Sequence, residues 1–154
     1  KDGNDVDVDA KLAEISVGKE PRYVAITPDD QAAYVTNAVD GSVSVIDLAA
    51  ATPKLKGNPI AVGSEPRGIA ITPNGTYAFV ANHTEGSVSV IQIRTNQVIN
   101  TVYVGGNPMA VTISNDGDLD DRDETVYVTR FFSGSSFAIF STILSVVATF
   151  WQLL

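Results

Sequence analysis

The residues best suited to chemistry lie in an acidic segment, 116–124, in the second half of the chain. Its candidate calcium ligands are carboxylates at mostly alternate positions: Asp116, Asp118, Asp120 and Glu124. Such spacing in a turning loop can point several oxygens at one calcium ion, which takes six to eight oxygen ligands. An EF-hand loop has Gly at its sixth position and Glu at its twelfth, where Asp121 and Tyr127 stand here. The spacing predicts a calcium site, with a solvated acidic loop as the alternative.

Other polar residues recur at equivalent positions. Arg22 and Arg67 each follow a Gly-x-Glu-Pro segment, and Asn37 and Asn82 are separated by the same 45 residues. Two such arginines can bind an anion, or each can pair with the Glu two residues before it. Each asparagine can meet a ligand or hydrogen-bond its own loop as an Asx turn. These four residues and His83 form a predicted ligand face. The alternative for His83 is an exposed loop residue without a ligand.

The histidine and cysteine content narrows the chemistry. His83 is the only histidine, and there is no cysteine. A nucleophilic triad, a transition-metal site and a disulfide are therefore not expected within these residues, and we predict no cofactor apart from calcium. The net charge of −8 argues against nucleic acids and anionic membranes as partners.

A repeat of about 45 residues must position these side chains. Residues 41–46, Gly-Ser-Val-Ser-Val-Ile, recur unchanged as 86–91, and Glu-Pro-Arg recurs at 20–22 and 65–67. A divergent third copy starts near Gly105, and its segment 126–129 stands 48 residues after the matching segment 78–81. Each copy consists of short alternating segments separated by Pro, Gly and Asn turns, which predicts four short strands. That pattern is typical of a β-propeller blade.

The sequence therefore predicts an all-β fold: a partial β-propeller of about three four-stranded antiparallel blades in an open arc. The predicted segments are an acidic lead-in with the outer strand of a preceding blade (1–18), two regular blades (19–63 and 64–105) and a divergent third blade (106–154) with its acidic insertion (115–124). Strands are predicted over 12–17, 23–26, 33–36, 42–47, 60–62, 68–71, 77–81, 87–93 and 98–104. Matched β-branched residues should pack between neighbouring sheets: Val24, Ile26, Ile69, Ile71, Val111 and Ile113.

The last 24 residues, 131–154, carry no charge. That is long enough for a transmembrane helix, yet the 48-residue offset continues, since Ile91 corresponds to Ile139. Three interpretations are open: two strands of the third blade, a helix that is packed or in a membrane, and a degenerate end. Membrane association is predicted only for the helix.

Three strings resemble the YVTN-type β-propeller repeat: 34–37 (Tyr-Val-Thr-Asn), 24–29 (Val-Ala-Ile-Thr-Pro-Asp) and 41–47 (Gly-Ser-Val-Ser-Val-Ile-Asp). The resemblance covers roughly residues 11–130. It implies a seven-bladed ring in a secreted, periplasmic or cell-surface protein. About three copies are a fragment of such a ring, and the open sheet faces of a fragment favour self-association.

Two classes of function fit this pattern. One is a non-catalytic binding or scaffold propeller that contacts protein or polysaccharide through its loop faces. The other is part of an enzyme, lactonase-like or redox, with a metal or cofactor in the central channel. An enzyme needs different polar residues from several blades at the axis, whereas this sequence repeats the same Asn and Arg. The repetition favours the binding protein, and fold alone does not decide activity.

Overall fold

The computed structural model describes residues 13–115, 117, 121 and 124–131, together with the backbone of 138–142. The described part contains three antiparallel sheets in chain order. The first sheet consists of β1 (Pro21–Ile26), β2 (Ala32–Asn37), β3 (Ser42–Asp47), β4 (Lys54–Leu55) and β5 (Ile60–Ala61). The second consists of β6 (Pro66–Ile71), β7 (Tyr77–Asn82), β8 (Ser87–Gln92) and β9 (Gln97–Tyr103), and the third of β10 (Asn107–Ile113), β11 (Val126–Phe131) and β12 (Ala138–Thr142).

Turn residues explain where the strands reverse. Gly41 and Gly86 precede β3 and β8 with φ of 57° and 74°, a left-handed conformation that glycine adopts without steric cost. A Cβ on Gly86 would also lie 3.0 Å from the carbonyl oxygen of Gly106. The repeated glycine therefore lets β2 and β3, and likewise β7 and β8, pair from the first residue after the turn.

The core lies between neighbouring sheets. Successive residues of a strand point to opposite faces, so the second sheet contributes apolar side chains to both of its neighbours. Ala78, Val80 and Ile91 pack towards the first sheet in a cluster that includes Tyr34 and Val45. On the opposite face, the second cluster consists of Phe79, Val88 and Val90 from the second sheet and Val126 and Val128 from the third. Each fully buried valine, isoleucine or phenylalanine side chain contributes roughly 1.5–3 kcal/mol of hydrophobic stabilisation.

The predicted core positions are confirmed for two sheets. Ile69 and Ile71 join the cluster shared with the first sheet, and Val111 and Ile113 join the one shared with the second. The prediction was wrong for Val24 and Ile26, which are 60% and 55% exposed. They occupy matched positions on β1, but that face of the first sheet has no sheet packed on it among the described residues.

Two strand predictions need correction. Residues 13–17 of the predicted strand 12–17 form no strand, because their partner would be the third strand of a preceding sheet and the described residues include none. Conversely, residues 48–59, for which no strand was predicted, contain β4, which pairs Lys54 with Asp47 and Leu55 with Ile46. The first sheet thus has two short strands on the same edge of β3, where the second sheet has the single long strand β9.

Part of the apolar tail forms a strand. β12 pairs antiparallel with β11, as the blade interpretation predicts. Val126 pairs with Thr142, although the 48-residue offset from the Ala78–Ile91 pair would place it opposite Ile139. The register is therefore three residues later than the repeat predicts. Residues 132–137 and 143–154, including the predicted fourth strand, lie outside the described residues. Within the described ranges, no helix is long and apolar enough to cross a bilayer.

Candidate functional site

Arg22 and Arg67 lie at the same end of the sheets. We call this end the arginine face, and it consists of residues 18–22, 38–41, 63–67, 83–86 and 105–109. Arg67 donates from Nε and Nη2 to Glu65 Oε1, at 3.1 and 2.5 Å. Thr84 donates its hydroxyl hydrogen to the other oxygen of Glu65. The hydrogen bonds from Thr84 and Arg67 lower the pKa of Glu65 below its ordinary value. Glu65 therefore stays ionised and holds the guanidinium in place.

Arg22 repeats this arrangement one sheet earlier, where it forms an ion pair with Glu20. Glu20 and Glu65 both adopt positive φ, 56° and 53°, so each glutamate turns back towards the arginine two residues later. The side chains of Arg67 and Glu65 are 26% and 32% exposed, and those of Arg22 and Glu20 are 42% and 45% exposed. Pairing within the turn is thus the observed state. A guanidinium has five N–H donors, so one carboxylate leaves part of each arginine accessible.

The third copy has Met109 where the first two have arginine. Arg67 Nη1 lies 3.6 Å from the sulfur of Met109, so the guanidinium extends from its own sheet to the next one. Its backbone is also held from the other side, because the Thr36 hydroxyl donates to the Arg67 carbonyl oxygen at 2.8 Å. Arg67 therefore contacts both neighbouring sheets.

His83 lies half-buried on the same face. Its Nδ1 is 3.2 Å from the carbonyl oxygen of Pro108, and a carbonyl oxygen only accepts, so Nδ1 carries the proton. The Asn107 side chain donates to the His83 carbonyl oxygen at 3.1 Å. The histidine therefore connects the second and third sheets, and Nε2 is the ring nitrogen left for another partner.

Asn37 and Asn82 lie beneath this face and are fully buried. Asn82 Nδ2 donates to the hydroxyl oxygens of Ser87 and Ser89, both at 2.9 Å, and Asn37 makes the same two bonds to Ser42 and Ser44 at 3.0 Å. The amides therefore bind serine side chains, not their own loop backbone as in the Asx-turn interpretation. As ligand contacts, both asparagines remain predictions.

The asparagines explain two glycines of the repeat. A Cβ on Gly18 would lie 2.6 Å from Asn37 Cγ, and a Cβ on Gly63 would lie 2.6 Å from Asn82 Cγ. Real Cβ atoms do not approach so closely, so the turn passes over the buried amide only because both positions are glycine.

Each of the first two copies contains a second acid that was not predicted as a site residue. Asp40 accepts the backbone N–H of Lys19 at 2.7 Å, and Glu85 accepts that of Ser64 at 3.1 Å. Both acids precede the turn glycine by one residue, and they stand 45 residues apart. That repetition is the signal that could have identified them as residues that bind the turn before the first strand of the same sheet.

The predicted calcium ligands are described only in part. Glu124 is half-buried, whereas Asp116, Asp118 and Asp120 lie outside the described residues. Among the residues that the structure does describe, no three His, Asp or Glu side chains form a group that could hold a metal ion. The calcium site therefore stays a prediction.

Asp121, in the same insertion, has a structural role that sequence analysis missed. Its carboxylate accepts the Thr72 hydroxyl hydrogen at 2.7 Å and the N–H groups of Asn74 and Thr76 at 2.9 and 3.0 Å. Burial would raise the pKa of Asp121, but the hydrogen bonds from Thr76, Asn74 and Thr72 outweigh it and lower the pKa below 3.8. The ionised side chain thus fastens the insertion to a turn of the second sheet.

Three sheets of antiparallel strands, each packed face to face on the next, define a fragment of a β-propeller. Within this class, the model of the lactonase, seven-bladed β-propeller family matches residues 8–105. The match spans more than half of the 154 residues, and the chain belongs to that family. No curated protein matches the sequence.

Solved structures with the same fold are larger than this chain. It is 30% identical to Kuenenia stuttgartiensis hydrazine synthase, with a TM-score of 0.65 over 82% of this chain and 34% of that one. A functionally unknown protein from Desulfotomaculum acetoxidans gives 20% identity and a TM-score of 0.62, with coverages of 81% and 42%. A putative 6-phosphogluconolactonase from Bacteroides uniformis gives 12% and 0.57, with coverages of 85% and 45%. The chain thus spans less than half the length of each.

Proposed function

We propose that this chain is part of a non-catalytic binding propeller whose arginine face contacts an extended ligand outside the cytoplasm. The observation that carries the proposal is the repetition of one Glu–Arg turn on two successive sheets, with both arginines held by their own glutamates and still partly exposed. A catalytic centre needs different groups converging on one substrate. A repeated surface instead suits a ligand that spans several sheets.

The ligand classes considered are proteins and polysaccharides, and a polysaccharide fits the repeated turns better. Each sugar unit carries the same oxygens, so a polymer meets Arg22 and Arg67 with the same chemistry. A guanidinium binds carboxylate oxygens through two parallel N–H bonds, which favours a polymer with widely spaced uronic acids, because the net charge of −8 repels a dense polyanion. The resemblance to YVTN-type repeats supports a location at the cell surface, in the periplasm or outside the cell.

Binding of the 154-residue chain to sparsely carboxymethylated dextran, which carries isolated carboxylates, compared with neutral dextran, tests this proposal. Replacing Arg22 and Arg67 together by Ala should weaken binding about tenfold, because hydrogen bonds to charged groups contribute about 1.5–3 kcal/mol. Arg94→Ala is the matched control, since Arg94 is exposed on the β8–β9 turn at the opposite end of the second sheet. Equal binding to both polymers, or an equal loss with Arg94→Ala, would contradict the proposal.

A lactonase-like enzyme is the second candidate. It is favoured by the family match over residues 8–105 and by the shared fold of the putative 6-phosphogluconolactonases. Arg22 and Arg67 would then hold the anionic part of a sugar-acid lactone. Proton release from 6-phosphogluconolactone, which carries an anionic phosphate, measured with and without the chain, tests this alternative. If the rate does not exceed the spontaneous rate, the binding function remains.

A further inference from the structure

A cleft opens at the end of the sheets opposite the arginine face. It lies between the turn after β1 and the turn after β6, and we call it the turn cleft. Residues 27–29, residues 73–75 and Ile93 line its volume of about 300 Å³. Pockets for small organic ligands start at about this size. Because β1 and β6 each run from the arginine face to this end, the two surfaces are separate.

The walls of the turn cleft are partly apolar and partly polar. Pro28 and Pro73 occupy equivalent positions in the two turns, and Ile93 also lines the cleft. Gly75 keeps it open, since a Cβ there would lie 3.3 Å from Pro28 Cδ. The φ of Gly75 is 72°, so any other residue at this position would also strain the backbone.

The charge in the turn cleft comes from Asp29. Its Oδ1 accepts the N–H of Gln31 at 3.1 Å, which fixes the direction of the carboxylate. Hydrogen bonds from Thr27 and Gln31 lower the pKa of Asp29, with a smaller contribution from Lys56. Asp29 is therefore ionised at neutral pH, and Lys56 is the nearby cation that an incoming ligand must compete with.

The wall of the turn cleft that contains Asn74 is fixed by a residue far away in the sequence. The backbone N–H of Asn74 donates to Asp121 Oδ1 at 2.9 Å, so the acidic insertion of the third sheet fixes the turn that carries Asn74 and Pro73. The exposed side-chain amide of Asn74 adds an acceptor oxygen to this wall.

We propose that the turn cleft binds a primary alkylammonium ion. An ammonium group has three N–H donors, which the Asp29 carboxylate and the Asn74 amide oxygen accept. The alkyl stem lies along Pro28, Pro73 and Ile93, as lysine stems do on apolar surfaces. The net charge of −8 raises the local concentration of cations. The ion is either a free amine or a lysine side chain of another protein.

Titration of the chain, with its backbone amides followed by NMR, tests the proposal. Cadaverine represents the free amine, Nα-acetyl-lysine amide represents a protein-borne lysine, and the Nε-acetylated form of the latter is the neutral control. Both cations should shift the amide signals of Gln31, Asn74 and Gly75, and raised salt should weaken binding. The cation that binds more tightly shows whether the ligand is a free amine or a lysine side chain of another protein. If the neutral compound shifts these signals equally, or if neither cation shifts them, the proposal is wrong.

Asp29→Asn keeps an acceptor for the Gln31 N–H and removes only the charge. It should weaken cadaverine binding about fivefold, because the ion pair between the carboxylate and the ammonium group is lost. Asp30→Asn is the matched control, because Asp30 has φ of 58° and asparagine tolerates that conformation. Lys56→Gln should tighten binding. Unchanged affinity in Asp29→Asn, or an equal loss in Asp30→Asn, would overturn the assignment.

Discussion

The Tyr34 hydroxyl donates a 2.5 Å hydrogen bond to Asn96 Oδ1, across 62 residues of sequence. Tyr34 belongs to β2 and is 1% exposed, whereas Asn96 lies in the turn between β8 and β9 with φ of 54°. The bond therefore fastens the first sheet to a turn of the second. The second sheet has Phe79 at the position equivalent to Tyr34, so it makes no such bond to the third.

Alkaline pH should weaken the protein through Tyr34. Burial, and to a smaller extent the charge of Asp29, raises the pKa of this phenol from 10.0 to about 12. Because the folded pKa is the higher one, the contribution of Tyr34 is fully present below pH 10 and is lost as the pH rises through 12. The free energy of unfolding, measured with urea, should decline between about pH 10 and 12, and the decline should be smaller in Tyr34→Phe. An equally steep decline in the variant would contradict the assignment, and Tyr77→Phe is the control.

Asp121→Asn should destabilise the protein by about 2 kcal/mol, because it weakens three hydrogen bonds to a charged group. Because the pKa of Asp121 is lowered in the folded state, its stabilising contribution depends on pH. The contribution is present above pH 3.8 and is lost as the pH falls through the folded-state pKa. Chemical unfolding at neutral and acidic pH measures both effects. A difference between the wild type and Asp121→Asn that stays constant down to the acid transition would contradict this prediction, and Asp30→Asn should match the wild type.

Asn82→Ala should cost about 2 kcal/mol, since it removes a buried amide and leaves two serine hydroxyls without their partner. A double-mutant cycle with Ser89→Ala should give a coupling energy of about 1 kcal/mol, because the two side chains are in contact. Additive losses would show that the 2.9 Å bond contributes nothing, and Asn58→Ala, at an exposed position, should be neutral.

The chain should self-associate through the uncovered face of β1. Val24 and Ile26 are largely exposed there, and an apolar sheet face favours burial against another one. Light scattering at rising concentration should show larger species, and Val24→Thr with Ile26→Thr should reduce them while keeping β-branched side chains. Val39→Thr, at a position 63% exposed in a turn, is the control. A monomer at all concentrations would rule out this interface.

Calcium should raise the melting temperature if Asp116, Asp118, Asp120 and Glu124 bind it, because an ion that binds only the folded state stabilises it. Asp118→Asn should abolish the increase. Asp121→Asn separates this effect from the anchoring of the insertion: the variant should melt lower and still respond to calcium. If calorimetry detects no binding at millimolar calcium, the calcium site is wrong and the segment is a solvated acidic loop.

Strand positions were predictable because they follow local alternation and turn residues. β3 was predicted from Ser42 to Asp47, as observed, and the identical string predicted β8 to within one residue. The short strand β4 was missed because two residues leave no alternation to detect. Residues 13–17 alternate as a strand should, but alternation cannot supply a pairing partner.

The contacts between sheets were less predictable. Asp121 binds Thr72 across 49 residues, a separation that is not the repeat period, so nothing in the sequence linked the two. The Glu–Arg pairs lie within one turn, and the sequence did identify them as one of two possibilities. Local chemistry was therefore accessible, and contacts that depend on the packing of separate sheets were not.

Gly68 lets the first strands of the second and third sheets approach each other closely. A Cβ on Gly68 would lie 2.7 Å from both Ala110 Cα and the Met109 carbonyl oxygen, so the backbones of β6 and β10 approach more closely than any side chain would permit. The first sheet has Tyr23 at the matching position. When the inner strands of two neighbouring sheets lie closer together, the angle between the two sheets is larger. In a closed ring of sheets these angles sum to one full turn. Where such sheets close a ring, a glycine at this position therefore permits a larger angle between two neighbouring blades than a residue with a side chain would.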